Sequence, residues 1–111
     1  MLTVNGEMKF FFLPTFTDMR CKHNRVIGII REQLHREPLE GDVFMVMSGD
    51  RRTVRLFAFE GPSVSLYEKK FKKGYKFMKM VMEGDRCHYR IQWKDVQLLL
   101  GNPVVNELII K

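Results

Sequence analysis

Cysteine is scarce in this chain, and its spacing argues against a metal centre. The 111 residues include two cysteines, Cys21 and Cys87, and no Cys-x-x-Cys pair. Zinc sites usually contain such pairs, so Cys21-x-His23 and Cys87-His88 are weak candidates for metal ligands. We therefore expect core cysteines, surface histidines and no bound metal.

Long hydrophobic runs are also absent. No apolar stretch approaches the roughly 20 residues that a membrane-spanning helix requires, and residues 1–7 lack the basic and apolar regions of a secretory signal. Hydrophobic residues make up 45% and charged residues 29% of the chain, which is typical of a globular protein. A chain of this length can bury its own core. We therefore expect one cytoplasmic domain spanning residues 1–111, with no membrane partner.

Signatures of enzyme chemistry are missing as well. The sequence contains no nucleophile elbow, no phosphate-binding glycine loop and no paired-carboxylate motif. A metal-dependent nuclease needs carboxylates clustered around its ion, whereas Asp18, Asp42, Asp50 and Asp85 stand at predicted caps and turns. We therefore expect no enzyme activity, no catalytic residues, no cofactor and no small-molecule substrate.

What the chain does contain is a β-rich segment at its centre. Residues 42–47, 53–60 and 64–71 are short runs that contain β-branched and aromatic residues. The turns between them, residues 48–52 and 61–63, contain Gly, Pro, Asp and Ser, which are common in turns. This pattern predicts an antiparallel meander of three strands.

A main helix is predicted before the meander, over about residues 18–35. Thr17 or Asp18 can cap its first turn by accepting a hydrogen bond from a backbone amide. Pro38 restricts the residue before it, so the helix is expected to end near His35. One apolar stripe with helical spacing would face the sheet. It comprises Met19, Val26, Ile27, Ile30 and Leu34.

The remaining segments supply further strands and a short helix. Residues 8–13 form a strand expected to be buried on both faces, and residues 77–82 and 86–92 form a second hairpin. Residues 94–100 form a short helix, and residues 104–110 form either a last strand or a docking segment. Together the elements predict an α+β fold, in which a mostly antiparallel sheet of five or six strands packs one face against the main helix.

Positive charge is concentrated in one segment. Residues 51–76 hold eight basic and two acidic side chains, so this segment carries the whole net charge of +6. Such a local excess favours a polyanionic partner, most often nucleic acid. The alternatives are a strand edge protected by lysines, a membrane surface or an acidic protein. The basic residues are Arg51, Arg52, Arg55, Lys69, Lys70, Lys72, Lys73 and Lys76.

The meander suggests how these cations are arranged. Arg51 and Arg52 lie at its first turn, and we expect Lys69 and the lysines after it to leave the third strand at the opposite end of the ladder. Arg55 lies on the strand between the two clusters. It would join them into a stripe that follows a phosphate backbone.

Aromatic residues are interleaved with the cations. Exposed rings can stack on unpaired bases, although half of the side chains of any strand must face inward, which places most of these rings in the core. Tyr67 and Tyr75 are the rings that we expect to be exposed, because their hydroxyl groups tolerate water.

Several spaced motifs are shared with one protein family. Residues 17–20, Thr-Asp-Met-Arg, precede the predicted helix, and residues 41–44, Gly-Asp-Val-Phe, open the meander. Residues 66–74, Leu-Tyr-Glu-Lys-Lys-Phe-Lys-Lys-Gly, close it. In this order the chain resembles the TnpB-type accessory protein, the second open reading frame product of bacterial insertion sequences of family sixty-six. The family motif at the helix start comprises Thr17, Asp18, Met19 and Arg20.

The resemblance covers about residues 12–76 well and implies an accessory role in DNA transposition beside a separate transposase. It implies no catalytic activity. Two roles are compatible with it. The first is a basic module that binds DNA largely independently of sequence, and the second is a protein–protein adaptor of the transposition complex that does not touch DNA. For Asp18 and Arg20, helix capping alone and a functional position at the exposed first turn both remain open.

Both thiols are expected to be reduced and unlinked, because neither a secretory signal nor metal-ligand spacing is found. Mass spectrometry of the native protein should give the mass of the reduced, metal-free chain. A bound zinc ion, or a mass lower by two hydrogens from a Cys21–Cys87 disulfide, would contradict this prediction.

Overall fold

The computed structural model describes residues 4–14, 17, 23–35, 37–84, 86, 88–101 and 108–110. Seven strands and two helices occur in this part of the chain, and neither helix is long and apolar enough to cross a membrane. In chain order they are β1 (Lys9–Phe12), α1 (His23–Leu34), β2 (Asp42–Met47), β3 (Thr53–Glu60), β4 (Ser63–Lys70), β5 (Met80–Met82), β6 (Tyr89–Ile91), α2 (Trp93–Gly101) and β7 (Leu108–Ile110).

Five strands form one sheet, in the order β4-β3-β2-β1-β6. The predicted antiparallel meander is present as β2, β3 and β4, and β6 pairs antiparallel with β1. β1 and β2 run parallel, with Phe11 opposite Phe44. The chain crosses back through α1 between these two strands, and a parallel pair needs such a crossover. The α+β class and the mostly antiparallel sheet are thus confirmed.

The predicted hairpin of residues 77–82 and 86–92 is wrong. β5 pairs in parallel with β7 in a separate two-stranded sheet, whereas β6 joins the main sheet beside β1. Phe77 and Met78, which the hairpin would place in a strand, are buried against one face of the main sheet. A local turn signal marks where the chain reverses. It does not specify the partners, because β6 pairs with β1 and β5 with β7, both distant in the sequence.

Both faces of the main sheet are buried, and not only the face that α1 covers. On one face, Val26 and Ile30 of α1 belong to a core cluster with Phe57. On the other face, Leu99 of α2 belongs to a second cluster with Leu56. Phe57 and Leu56 are neighbours in β3, and successive strand residues point to opposite faces. The predicted packing on one face is therefore incomplete, because α2 covers the second face.

The bounds of α1 agree with the sequence where they are described. His35 follows the helix with a left-handed φ of 55°, a conformation that commonly ends helices, so the predicted end near His35 is confirmed. The predicted first residues 18–22 lie outside the described part of the chain. The described members of the predicted stripe are buried or half-buried in the α1 core cluster. They are Val26, Ile27, Ile30 and Leu34.

Three further predictions are confirmed. The short helix expected at residues 94–100 is α2. Residues of β1 contribute to both core clusters, since Phe10 and Phe12 are buried on the α2 face and Phe11 is half-buried on the α1 face. The Phe11 ring stacks on the Phe44 ring of β2, with 5.2 Å between centroids. The predicted last strand within residues 104–110 is present as β7.

Ile30→Ala should lower the free energy of unfolding by about 2–5 kcal/mol, because it removes buried methylene and methyl groups and leaves a cavity beneath α1. Ile30 is 0% exposed. Glu32→Ala, at an exposed position of the same helix, is the matched control and should change that free energy by less than about 0.5 kcal/mol. Urea denaturation measures both. An unchanged midpoint for Ile30→Ala would mean that α1 is not docked on the sheet.

Candidate nucleic-acid interface

The register of β3 and β4 decides where the basic side chains lie. Thr53 pairs with Lys70 at one end of the ladder, and Glu60 pairs with Ser63 at the other. Arg52, directly before Thr53, therefore lies beside the end of β4. The prediction that the two basic clusters leave opposite ends is wrong, because in an antiparallel pair one strand ends where its neighbour begins. Both clusters lie at the same end of the sheet.

Residues 72–76, which we call the lysine loop, project from this end. The backbone N–H of Phe71 donates to the carbonyl oxygen of Arg52 (2.8 Å), and that of Phe77 donates to the carbonyl oxygen of Arg51 (2.7 Å). The rings of Phe71 and Phe77 pack with their centroids 4.4 Å apart. Two backbone hydrogen bonds and one ring pair therefore close the base of the lysine loop on the β2–β3 turn.

The lysine loop presents its side chains to solvent. Lys72, Lys73 and Lys76 are exposed, and Tyr75 is 57% exposed. The Tyr75 N–H donates to the Lys72 carbonyl oxygen at 3.1 Å, which closes a turn. Gly74 takes a φ of 97°, where a side chain would be strained. Three ammonium groups and one aromatic ring are thus held on a single turn.

The β2–β3 turn at residues 48–52 supplies the neighbouring charges. The Asp50 carboxylate accepts hydrogen bonds from the Ser48 hydroxyl (2.7 Å) and the Arg52 N–H (3.0 Å). The Ser48 bond, followed by the Arg52 bond, lowers the pKa of the Asp50 carboxyl, and the charges of Arg52 and Lys70 lower it further. The resulting stabilisation is present above the ordinary carboxyl pKa and is lost as the pH falls through the lowered pKa.

Two of the predicted arginines have partners within the protein. Arg55 Nε lies 2.6 Å from Glu68 Oε1 across the β3–β4 pair, so Arg55 forms an ion pair and does not join the clusters into a stripe. The Arg52 guanidinium donates to the Phe71 carbonyl oxygen at 3.1 Å. Both arginine side chains therefore make contacts within the protein near this end of the sheet.

Lys69 is also used internally. Its ammonium group donates to the Leu100 carbonyl oxygen in the last turn of α2 and lies 5.3 Å from the centroid of the Phe71 ring. Carbonyl groups in the last turn of a helix have no partner within the helix, and a cation there also complements the helix dipole. Lys69 therefore ties α2 to β4, and it is not available to a ligand without loss of that contact.

The other five predicted cations form what we call the basic end. Four are exposed lysines and one is a half-buried arginine. Within the described part of the chain, none of the five forms an ion pair. The Lys70 charge is partly offset by the nearby Asp50 carboxylate, whose pKa it lowers, and the other four charges are open to an anionic ligand. The basic end comprises Arg51, Lys70, Lys72, Lys73 and Lys76.

A cavity of about 210 Å³ has one residue of the basic end and one residue of the family motif in its lining. Thr17, the first residue of that motif, lines the cavity together with Arg51 and Lys79. The sequence analysis missed Lys79, which lies beyond the charged segment. The alternation Met78-Lys79-Met80 was the available signal, because it points the lysine away from two apolar neighbours. The other members of the motif, Asp18, Met19 and Arg20, lie outside the described residues.

Tyr67 and Tyr75 are exposed to 38% and 57%, as predicted. Phe57, Phe59 and Phe77 are buried, so most of the interleaved rings serve the core. Tyr67 lies within β4, whereas Tyr75 lies in the lysine loop. Tyr75 is thus the exposed ring that shares its turn with the cations.

The weak metal-ligand candidates are described only in part. Cys21 and Cys87 lie outside the described residues. His88 is half-buried, and its Nδ1 has no hydrogen-bond partner among the described residues. In the described part of the chain, no three His, Cys, Asp or Glu side chains come together.

Lys69 and Lys70 lie in different environments, so truncating each should have a different effect on the free energy of unfolding. Lys69→Ala should lower the free energy of unfolding by about 1–3 kcal/mol, because a part-buried hydrogen bond from a charged group to α2 is lost. Lys70→Ala, at the exposed neighbouring position, should change it by less than about 0.5 kcal/mol. Urea denaturation of the two variants provides the comparison. Equal midpoints would show that Lys69 does not stabilise the docking of α2.

A family model described as IS66 Orf2 like protein matches residues 8–106. No curated protein and no solved structure matches the chain significantly. The family match includes both described helices, six of the seven described strands and the whole basic end. It confirms the resemblance found in the sequence and associates the chain with the transposition of an insertion sequence. The chain belongs to the IS66 Orf2-like family.

Proposed function

We propose that this chain is a non-catalytic accessory factor of transposition that binds DNA through the basic end and acts beside a separate transposase. The observation that carries the proposal is the antiparallel β3–β4 register, which brings two separate basic segments to one end of the sheet. Family membership supports a role in transposition, and the arrangement of positive charge supports DNA as the ligand. DNA is the polyanion that a transposition factor meets.

The expected mode of binding follows from the chemistry of lysine. An ammonium group is a compact charge without the planar donor fork that reads base edges, so contacts from four lysines are suited to phosphates. Phosphate contacts position a protein on DNA without reading sequence. Binding should therefore be largely independent of sequence, with a Kd on the order of micromolar or weaker at physiological salt.

An adaptor role is the second candidate, and the position of β4 favours it. β4 is an edge strand of eight residues, and no described strand pairs with its outer side. Leu66 on this strand is 53% exposed. Such an edge can accept a strand from a partner protein through main-chain hydrogen bonds. An interface of that kind depends little on salt, whereas phosphate binding weakens steeply as salt rises.

The double variant Lys70→Glu/Lys73→Glu should bind DNA more weakly than the wild type, with a shallower dependence of affinity on salt. Each phosphate contact contributes about 0.9 to the slope of log K against log salt, so the loss of two contacts should reduce the slope by about 2. The measurement is a DNA-binding titration of a labelled duplex at several salt concentrations. The melting temperature should change little, because both lysines are exposed and the attraction between Lys70 and Asp50 is a screened surface interaction.

Lys9→Glu/Lys94→Glu is the matched control. It makes the same change in net charge at exposed positions, and Lys9 pairs with Asp42 at the opposite end of the sheet. This variant should keep the wild-type salt slope. If both variants lose affinity equally, general charge attraction explains binding and the basic end is not a site. If the wild type shows no salt-sensitive binding, the adaptor role takes the place of this proposal.

A further inference from the structure

Tyr75 is an aromatic side chain in a setting that does not use it for packing. Its ring is 57% exposed, whereas the rings at the two ends of the same loop, Phe71 and Phe77, pack on each other. It shares a five-residue turn with Lys72, Lys73 and Lys76. An exposed ring surrounded by ammonium groups combines a surface for stacking with charges for phosphates.

The lysine loop is anchored by backbone hydrogen bonds, which hold the backbone of Tyr75 in place. Hydrogen bonds to the carbonyl oxygens of Arg51 and Arg52 fix both ends of the loop, and a third bond, from the Tyr75 N–H to the Lys72 carbonyl oxygen, closes the turn inside it. A binding group on an ordered turn loses little conformational entropy when a ligand binds. A tyrosine also has few rotatable bonds to order, unlike the neighbouring lysines.

The two forms of DNA differ in what they offer to such a ring. In an intact duplex the base faces are covered by neighbouring bases, and only the phosphates and groove edges are accessible. In a single strand the faces are open, and aromatic side chains stack on them while cations hold the backbone. An exposed aromatic ring therefore favours the single strand, whereas lysines attract the phosphates of both forms.

We propose that Tyr75 stacks on an unpaired base, so that the lysine loop binds single-stranded or locally opened DNA in preference to intact duplex. This inference rests on the proposed DNA-binding function and adds the class of substrate. It separates the roles of the residues in the loop. The lysines supply affinity that depends on salt, and Tyr75 supplies discrimination that does not.

The test compares a fluorescently labelled single-stranded oligonucleotide of mixed sequence with the blunt duplex of the same sequence, by anisotropy titration. Tyr75→Ala should weaken binding of the single strand by about 5- to 150-fold, the equivalent of one stacked base. Affinity for the duplex should stay the same. The salt slope should also stay the same for both ligands, because no cation is removed. Tyr75→Phe keeps the ring face and should retain single-strand affinity.

Two further variants keep the result interpretable. Tyr75→Leu keeps a branched apolar side chain without a π face and should lose single-strand affinity like Tyr75→Ala. If Tyr75→Ala lowers the melting temperature, Tyr75→Leu therefore still tests the proposal. Tyr67→Ala removes the other exposed tyrosine, which lies on β4 outside the lysine loop, and should leave the preference for single strands intact.

The outcomes distinguish this inference from the function on which it rests. If wild-type protein binds both DNA forms and Tyr75→Ala leaves single-strand affinity unchanged, stacking is overturned and the DNA-binding function stands. The same conclusion follows if the variant weakens single strand and duplex by the same factor. If wild-type protein binds neither form, both proposals fail together.

Discussion

The ladder between β3 and β4 is the constraint on which the functional surface depends. Its eight residue pairs bring the end of β4 beside the β2–β3 turn, and the contacts of that end follow from the register. A slip of one residue would turn every side chain of β4 to the other face of the sheet. Glu68 would then face away from Arg55, and the Lys69 ammonium would lose the C-terminus of α2. The register of β3 and β4 therefore fixes both the position of the basic end and the contacts of β4 with the rest of the fold.

Local signals predicted most of the elements and few of the long-range contacts. The meander, the end of α1 near His35 and the extent of α2 follow from turn residues, proline and apolar spacing. The pairing of β5 and β6 does not, because β6 pairs with β1 and β5 with β7, which are distant in the sequence. The meeting of the basic clusters is a different case. It follows from antiparallel geometry, so the predicted meander already contained it.

The charged segment shows why a count of cations in a sequence is an imperfect guide to a binding site. Eight basic residues lie in residues 51–76, but Arg52, Arg55 and Lys69 make contacts that span 13 to 31 residues of sequence. No local pattern reveals such partners. Lys79 shows the reverse error, since it lies outside the segment and yet lines the cavity with Arg51. Tyr75 was recognisable from the sequence, because it lies among lysines and its hydroxyl group tolerates water.

The pairing of β6 with β1 has a consequence for how the molecule opens. In this pair Phe11 lies opposite Arg90, which is far from it in the sequence. The strands of the meander, in contrast, are separated only by short turns. Contacts between distant residues carry the larger entropic cost of loop closure, and proteins open in partial units of unequal stability. Separation of β6 from β1 removes none of the hydrogen bonds that anchor the lysine loop, because those bonds lie within residues 51–77. The fold can therefore fluctuate at its β6 edge while its basic end keeps its shape.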